Sequence, residues 1–249
     1  MKRPLVLTAI AGLLVFLGVL VLYLPASWFA AMLPSQMRCN ELGGSLWHGE
    51  CLGLDFQGAK LGDATWNLAP GSALSGHLAG DVDVRGSALS ARADLDLKFN
   101  GSGELRNVSA RFPLDPAFVA QFPRDQRGNI VVDLQHALLT DGRALAQLQG
   151  TIELHELRQV GRNPLALGSY RLTFDGTRQA NGSSVGQLRD IGGPFAVEAT
   201  LTLTPPNVYL VQGFMTGRSA EAEKLVREMT LGAPPDASGR SAFSFEGSY

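Results

Sequence analysis

The chain has 249 residues, of which 45% are hydrophobic, so it can bury a core in one large domain or in two small ones. Its formal net charge of −2 excludes the strongly basic surface that would attract nucleic acid or anionic lipid. Only 18% of the residues are charged and 29 are Gly, a composition typical of a β-rich chain with many turns.

The N-terminus predicts a membrane anchor. Lys2 and Arg3 precede an uncharged, mostly apolar run from Pro4 to Leu24, which at ~1.5 Å per residue is long enough to cross a hydrocarbon core of about 30 Å. The basic residues predict that this end stays in the cytoplasm while the rest of the chain crosses. A cleaved signal peptide is the alternative, but each cut after an Ala in residues 24–31 would place a large residue at position −3. The sequence therefore favours an uncleaved anchor.

Two cysteines, Cys39 and Cys51, lie beyond this segment. Outside the cytoplasm, a pair so close in sequence favours a disulfide over two free thiols. The chain has no further Cys, so a zinc site built from thiolates is not predicted.

Alternation of apolar and polar residues dominates the remaining sequence and predicts β-strands with one wet face. The clearest example is ARADLDLKFN, residues 91–100, in which alanines, leucines and a phenylalanine alternate with charged and polar residues. Shorter alternations occur at Leu54/Phe56, Val82/Val84, Ile130/Val132/Leu134, Ile152/Leu154, Tyr170/Leu172/Phe174, Phe195/Val197/Ala199/Leu201/Leu203 and Phe243/Phe245.

Turn-forming residues separate these strands, since Gly after Asn or Asp supplies the positive φ of tight hairpins. Short connections between consecutive strands predict an antiparallel meander. The predicted turns are NGSG at Asn100, TDG at Thr140, FDG at Phe174, ANG at Ala180 and TPPN at Thr204. The run around GSSVG (182–186) is polar, and its composition predicts a hairpin loop.

Two short helices are predicted. DPAFVAQF has Asp115 as N-cap and a Pro at the first helical position. SAEAEKLVREMTLG has Ser219 as N-cap and Gly232 as its stop, and we expect Leu225 and Met229 to form its docking face.

A sheet with one apolar face must cover that face. It can do so as a sandwich or a closed barrel, or it can curl into a half-barrel that leaves an open apolar trough. The strand pattern does not choose among these three architectures.

Two short motifs have the residue types of catalytic or metal sites. His48 and Glu50 form an H-x-E, but no C-x-x-C is present to complete a zinc deaminase site. His155-Glu156 begins an H-E-x-x-H motif, but Gln159 stands where the second His is required. The sequence therefore predicts no metal or cofactor, with Trp47 inward and His48 outward.

Ser184 lies in a G-x-S-x-G motif, which in hydrolases sits between a buried strand and a helix and is followed by the catalytic His. Here every His precedes Ser184, so we expect no enzyme activity from this motif. Two further pairs of carboxylates recur at i, i+2 spacing, which in a strand puts each pair on one face. We expect them to lie on the solvated face; they are Asp81/Asp83 and Asp94/Asp96.

The stretch from residue 43 to 70 resembles the N-terminal part of type II secretion system protein N. That family shows a Gly, a small residue, Leu, Trp, any residue and Gly, followed by a strand, a Trp and Leu-x-Pro. Segments LPASWFAAMLP, LGSYRLTFDG and GRSAFSFEGSY are also similar to the family, whereas Cys39 and Cys51 are not part of its pattern. The matching residues are Gly44, Ser45, Leu46, Trp47, Gly49, Trp66, Leu68 and Pro70.

The resemblance implies a bacterial single-pass inner-membrane protein with a periplasmic β domain, in the machinery that exports folded proteins across the outer membrane. It implies no active site, contacts with other secretion proteins of the inner membrane and periplasm, and structural roles for Trp47 and Trp66. We expect residues 1–28 to form a cytoplasmic stub and transmembrane anchor, and residues 29–249 to form the periplasmic domain.

Two hypotheses of function follow. The chain is an assembly component that uses strand edges or a surface patch, for example by β-augmentation. Alternatively, it is a periplasmic lipid-binding or lipid-transfer protein whose open trough holds acyl chains. The small residues Ala91, Ala93 and Ala199 on the apolar faces suit either a ligand or close sheet packing.

Overall fold

The structure is a computed structural model of the 249-residue chain. It describes residues 12–13, 16, 18–27, 37–56, 58–115, 123–140, 145–161, 164–230 and 234–248.

The predicted antiparallel meander is confirmed. The described residues form one sheet of thirteen strands whose spatial order is their order in the sequence. Most connections are short turns, which pair a strand with its chain neighbour, and β12 and β13 are also neighbours although residues 218–240 separate them. The strands are β1 (Met37–Gly44), β2 (His48–Phe56), β3 (Ala59–Leu68), β4 (His77–Arg85), β5 (Ser90–Lys98), β6 (Gly103–Leu114), β7 (Gln126–Leu139), β8 (Leu145–Gln159), β9 (Leu165–Arg178), β10 (Ser184–Gly192), β11 (Phe195–Thr204), β12 (Val208–Gly217) and β13 (Ser241–Ser248).

The sheet is curled but not closed. In the described part of the chain, β1 and β13 each pair on one side only. The curl brings β10 close to β8, since the Ser184 hydroxyl in β10 donates to the carbonyl oxygen of Ala146 in β8 at 3.0 Å, across the intervening strand β9. Of the three architectures left open by the sequence, the structure is an open, curled sheet.

One face of the sheet is apolar from end to end, as the alternation predicted. The strand register continues this apolar face from one strand to the next. Val82 lies opposite Ala93, and Leu172 lies opposite both Ile152 and Leu188. Because side chains alternate between faces, the intervening charged residues share the other face.

Besides its strands, the described part of the sheet domain contains two helices. Helix α1 (Pro70–Leu74) follows β3 and was not predicted, although a Pro at its first position is a usual start signal. Helix α2 (Ala220–Met229) is the predicted second helix, and the backbone N–H of Ala222 donates to the Ser219 hydroxyl at 3.2 Å.

The docking face of α2 differs from the prediction. Ala222 and Val226 are its buried residues, whereas Met229 is 50% exposed. Leu225 is half-buried and packs at the edge of the same cluster. Residues 222 and 226 lie one turn apart and meet the sheet, so the helix is rotated from the expected face.

Two turn predictions were wrong. The FDG sequence at Phe174 lies inside β9, where Gly176 adopts a φ of 84° without ending the strand. The expected loop at GSSVG is in part strand, since β10 begins at Ser184 and that side chain is buried. The predicted turns at Asn100, Ala180 and Thr204 do connect consecutive strands. The TDG turn and the helix after Asp115 fall largely on residues outside the described ranges.

The N-terminal apolar run is described only in part. Residues 18–22 are helical, but most of the predicted span from Pro4 to Leu24 lies outside the described residues or is interrupted by gaps. None of the helices in the described residues combines the length and the hydropathy needed to cross a membrane.

Candidate functional site: the Trp47 turn and an apolar trough

Trp47 occupies the turn between β1 and β2. It is 3% exposed, while its neighbour His48 is exposed, which confirms the predicted inward and outward orientations. The backbone N–H of Leu68, at the end of β3, donates to the Trp47 carbonyl oxygen at 2.6 Å. The turn is therefore fixed both by its own hairpin and by the next strand.

This turn also holds the end of the N-terminal helix. The indole N–H of Trp47 donates to the Val21 carbonyl oxygen, and the backbone N–H of Leu46 donates to the Leu24 carbonyl oxygen, each at 2.9 Å. Pro25 forms an antiparallel bridge with Ser45. Carbonyl groups at a helix C-terminus have no partner within the helix, so these contacts satisfy them and fasten the helix to the sheet.

Trp66 stacks on the turn from β3. Its indole N–H donates to the Leu46 carbonyl oxygen at 2.9 Å. Its ring lies against Gly49, where a Cβ atom would overlap the indole. Gly44 has a φ of 78° and faces the His48 backbone too closely for a side chain. These residues of the sequence motif thus converge on one structural unit, which we call the Trp47 turn (residues 44–49 with Trp66).

The remaining motif residues lie beside this unit. Leu46 and Leu68 face an apolar hollow, and Pro70 opens α1 directly after β3. The motif therefore describes how the N-terminal helix, the first hairpin and the third strand meet.

The hollow is an apolar trough on the curled face of β1 to β5. Its volume is about 420 Å³, within the range of about 300–1,000 Å³ usual for ligand pockets. Ala26, directly after the N-terminal helix, forms part of its wall, a contact that no local pattern in the sequence indicates. The lining residues are all apolar: Ala26, Met37, Leu42, Leu46, Cys51, Leu54, Ala64, Trp66, Leu68, Leu78, Val82, Val84, Leu95 and Leu97.

A disulfide joins Cys39 in β1 to Cys51 in β2, as predicted from their spacing and their position beyond the anchor. Their Cα atoms are 5.7 Å apart, a usual separation for bridged cysteines. Cys51 is buried and lines the trough. The bond therefore ties the edge strand β1 to the wall of the trough.

The histidine motif belongs to the polar face. His155 contacts Glu153 at 2.7 Å, and the Arg171 guanidinium donates to the same carboxylate at 2.6 Å. The Arg171 hydrogen bond, helped by His155, lowers the pKa of Glu153 below its usual value. Within the described residues, no three His, Cys, Asp or Glu side chains lie close enough together to hold a metal ion.

The paired aspartates lie on the polar face, as expected. Asp81 in β4 is directly opposite Asp94 in β5. The repulsion between them is relieved by side-chain amides, since Asn107 donates to Asp94 at 2.7 Å and Asn67 donates to Asp81 at 3.4 Å. Asp83 pairs with Arg85 at 2.6 Å, and Asp96 lies 3.8 Å from His77.

The described residues form an open antiparallel meander whose first hairpin holds an apolar N-terminal helix and whose first five strands border an apolar trough, and these features define the class of β-sheet protein. The family model for protein N of the type II secretion system (T2SS) matches residues 35–244. The chain therefore belongs to the T2SS protein N family, and it is a component of type II secretion. No curated protein and no solved structure shows significant similarity to the chain.

Proposed function

We propose that this secretion component is anchored in the bacterial inner membrane by its N-terminal helix and acts in the periplasm through contacts with other secretion proteins, without a catalytic step of its own. The family match carries the assignment to type II secretion. The anchoring is supported by the basic start of the chain and by the apolar side chains that the N-terminal helix exposes. Those described are Leu13, Phe16, Val19, Leu20, Val21 and Leu22.

The topology is tested by fusing alkaline phosphatase, which is active only outside the cytoplasm, after residue 249. We expect an active fusion that remains with the membrane pellet after carbonate extraction. A fusion made to residues 37–249 behind a cleavable signal peptide is the control, and we expect it to be active but released. An inactive fusion, or one that carbonate extracts, would reject the proposed anchoring.

A role in assembly is supported by the outer edge of β13, with which no strand in the described part of the chain pairs. An edge strand presents unpaired N–H and C=O groups, which can pair with a strand of another protein. Phe245 on this strand is 54% exposed and contacts Phe243 with ring centroids 5.5 Å apart. An exposed aromatic on an open edge is suited to a protein contact, because aromatic residues dominate binding hot spots.

Phe245→Lys tests this edge in secreting cells. A charge at the edge should oppose strand addition, and we expect secretion of a type II cargo to fall by about tenfold. The matched control is Phe99→Lys, because Phe99 is 68% exposed but lies in the turn after β5. Equal secretion by the two variants, at equal protein levels, would reject β13 as the contact edge.

A further inference from the structure

The trough is uncovered because no described element lies over its central strands. β4 and β5 contain no fully buried residue, and their inward side chains Leu78, Val82 and Leu95 are only half-buried. The wall runs along β4 from Leu78 to Val84, which at ~3.4 Å per residue gives a length of about 20 Å. The hollow is therefore elongated as well as apolar.

The chemistry of the wall selects the class of occupant. A peptide placed in the trough would bring N–H and C=O groups that need partners when they are buried. The lining offers none, because every lining side chain is apolar and the Trp66 indole N–H already donates to Leu46. A hydrocarbon chain has no polar group to satisfy, and each leaflet of a hydrocarbon core about 30 Å thick accommodates chains of about 15 Å. The trough thus has the length and polarity of one acyl chain.

The position of the trough indicates the source of that chain. Ala26 forms part of the wall, and Leu24 is hydrogen-bonded to Leu46 at the same end. The N-terminal helix therefore ends at the trough itself. We propose that the trough between β1 and β5 holds the acyl chain of a phospholipid from the membrane. This source rests on the anchoring proposed above, whereas the affinity for hydrocarbon rests on the wall alone.

The test uses the full chain in its native membrane. Cells are fed a palmitic acid that carries a photoactivatable diazirine and an alkyne, so that the probe enters their phospholipids. After illumination, the protein is purified and lipid-modified peptides are located by mass spectrometry. We expect adducts on β2 to β5, and in particular on peptides that contain Val82 or Leu95.

Leu95→Trp fills the trough and Leu52→Trp is its matched control. Leu52 lies on the neighbouring hairpin, is exposed and does not line the trough. Each buried methylene contributes about fourfold to binding, so an indole that displaces two or three should lower the adduct yield by about tenfold or more. Val82→Trp, a second filling variant, should act alike if Leu95→Trp lowers the amount of protein.

The outcomes separate this inference from the proposed anchoring. Adducts on β2 to β5 that Leu95→Trp removes and Leu52→Trp retains support the trough site. Adducts confined to residues 1–27 would overturn the trough site while leaving the anchor intact. Adducts that survive both filling variants would also overturn it, as would a photo-crosslinker at position 95 that captures a protein instead of lipid. Carbonate extraction of the same membranes decides the anchoring independently.

Discussion

The two halves of the sheet share one strand pattern but differ in how the apolar face is covered. In the first half, β1 to β5, the face borders an open trough and two central strands have no fully buried residue. In the second half, β7 to β12, the same face is filled by its own side chains and by α2. Alternation therefore determines which side of a strand is apolar, whereas packing between strands and helices determines whether that side is covered.

Long strands and close side-chain packing explain why the apolar face is covered in the second half. We call this half the closed half and the first half, with its trough, the open half. β7, β8 and β9 contain 14, 15 and 14 residues, against 9 each in β4 and β5. Longer strands can coil further, and side chains of β7, β9 and β11 meet in one cluster. Gly186 allows this packing, because a Cβ atom there would overlap the Phe174 ring. Among the described residues of the first half, β4 and β5 contribute no buried side chain to a comparable cluster.

The largest expected difference between the halves is in how far the free energy of unfolding falls when an inward side chain is truncated to Ala. Phe174 is 3% exposed in the core of the closed half, so Phe174→Ala should lower the free energy of unfolding by about 3–5 kcal/mol. Leu95→Ala in the trough wall should cost only about 1 kcal/mol, since the side chain is already half-exposed. Urea unfolding of the full chain in mild detergent measures both. Equal losses would mean that the trough is packed in solution.

The disulfide should contribute next, and only to the open half. Closing a loop with a sequence separation of 12 stabilises by about 3 kcal/mol. We expect dithiothreitol to shift the unfolding of β1 to β3, followed by the fluorescence of Trp47 and Trp66, to lower urea concentration. A Phe214→Trp reporter in β12 serves as the control and should respond less. A shift of equal size at both reporters would show that the halves unfold as one unit.

The contact between the Trp47 turn and the N-terminal helix should contribute less stability than either the Phe174 side chain or the disulfide. Trp47→Phe keeps an aromatic side chain but removes the indole N–H that donates to Val21, a loss of about 1 kcal/mol. Protease cleavage between residues 22 and 37 should become about fivefold faster, provided that the helix detaches from the Trp47 turn and reattaches faster than the protease cuts. Trp66→Phe is the control, since its lost partner is Leu46 within the turn. Unchanged cleavage in Trp47→Phe would contradict a holding role for this indole.

The smallest effect at neutral pH involves Tyr170 of the closed half. Burial raises the pKa of Tyr170 to about 12, and the nearby Asp190 adds to this increase. A raised folded-state pKa means that stability is unaffected below the unfolded value of about 10 and falls as pH rises from about 10 to 12. Tyr170→Phe should reduce this decline, as measured by thermal unfolding across that range. If stability falls equally with rising pH in the variant, groups other than Tyr170 cause the loss.

Much of this protein was determined by local sequence. Alternation established the β class and the apolar face, since side chains in a strand must alternate. Ser219 fixed the start of α2 by capping it. The position of Cys39 and Cys51 predicted their bond, and the family resemblance identified the residues that meet at the Trp47 turn.

Tertiary structure decided what the pattern left open. The FDG sequence passes through β9 instead of turning because Phe174 pairs with Gly150 of β8 and with Gly186 of β10, and pairing with β10 resumes at Arg178 after a register shift. Ser184 is buried because the sheet coils until β10 reaches the backbone of β8. The sheet stays open because β1 and β13 do not pair with each other, and no described element lies over the central strands of the trough. Both features depend on how the whole sheet coils, which a local pattern of apolar and polar residues does not specify.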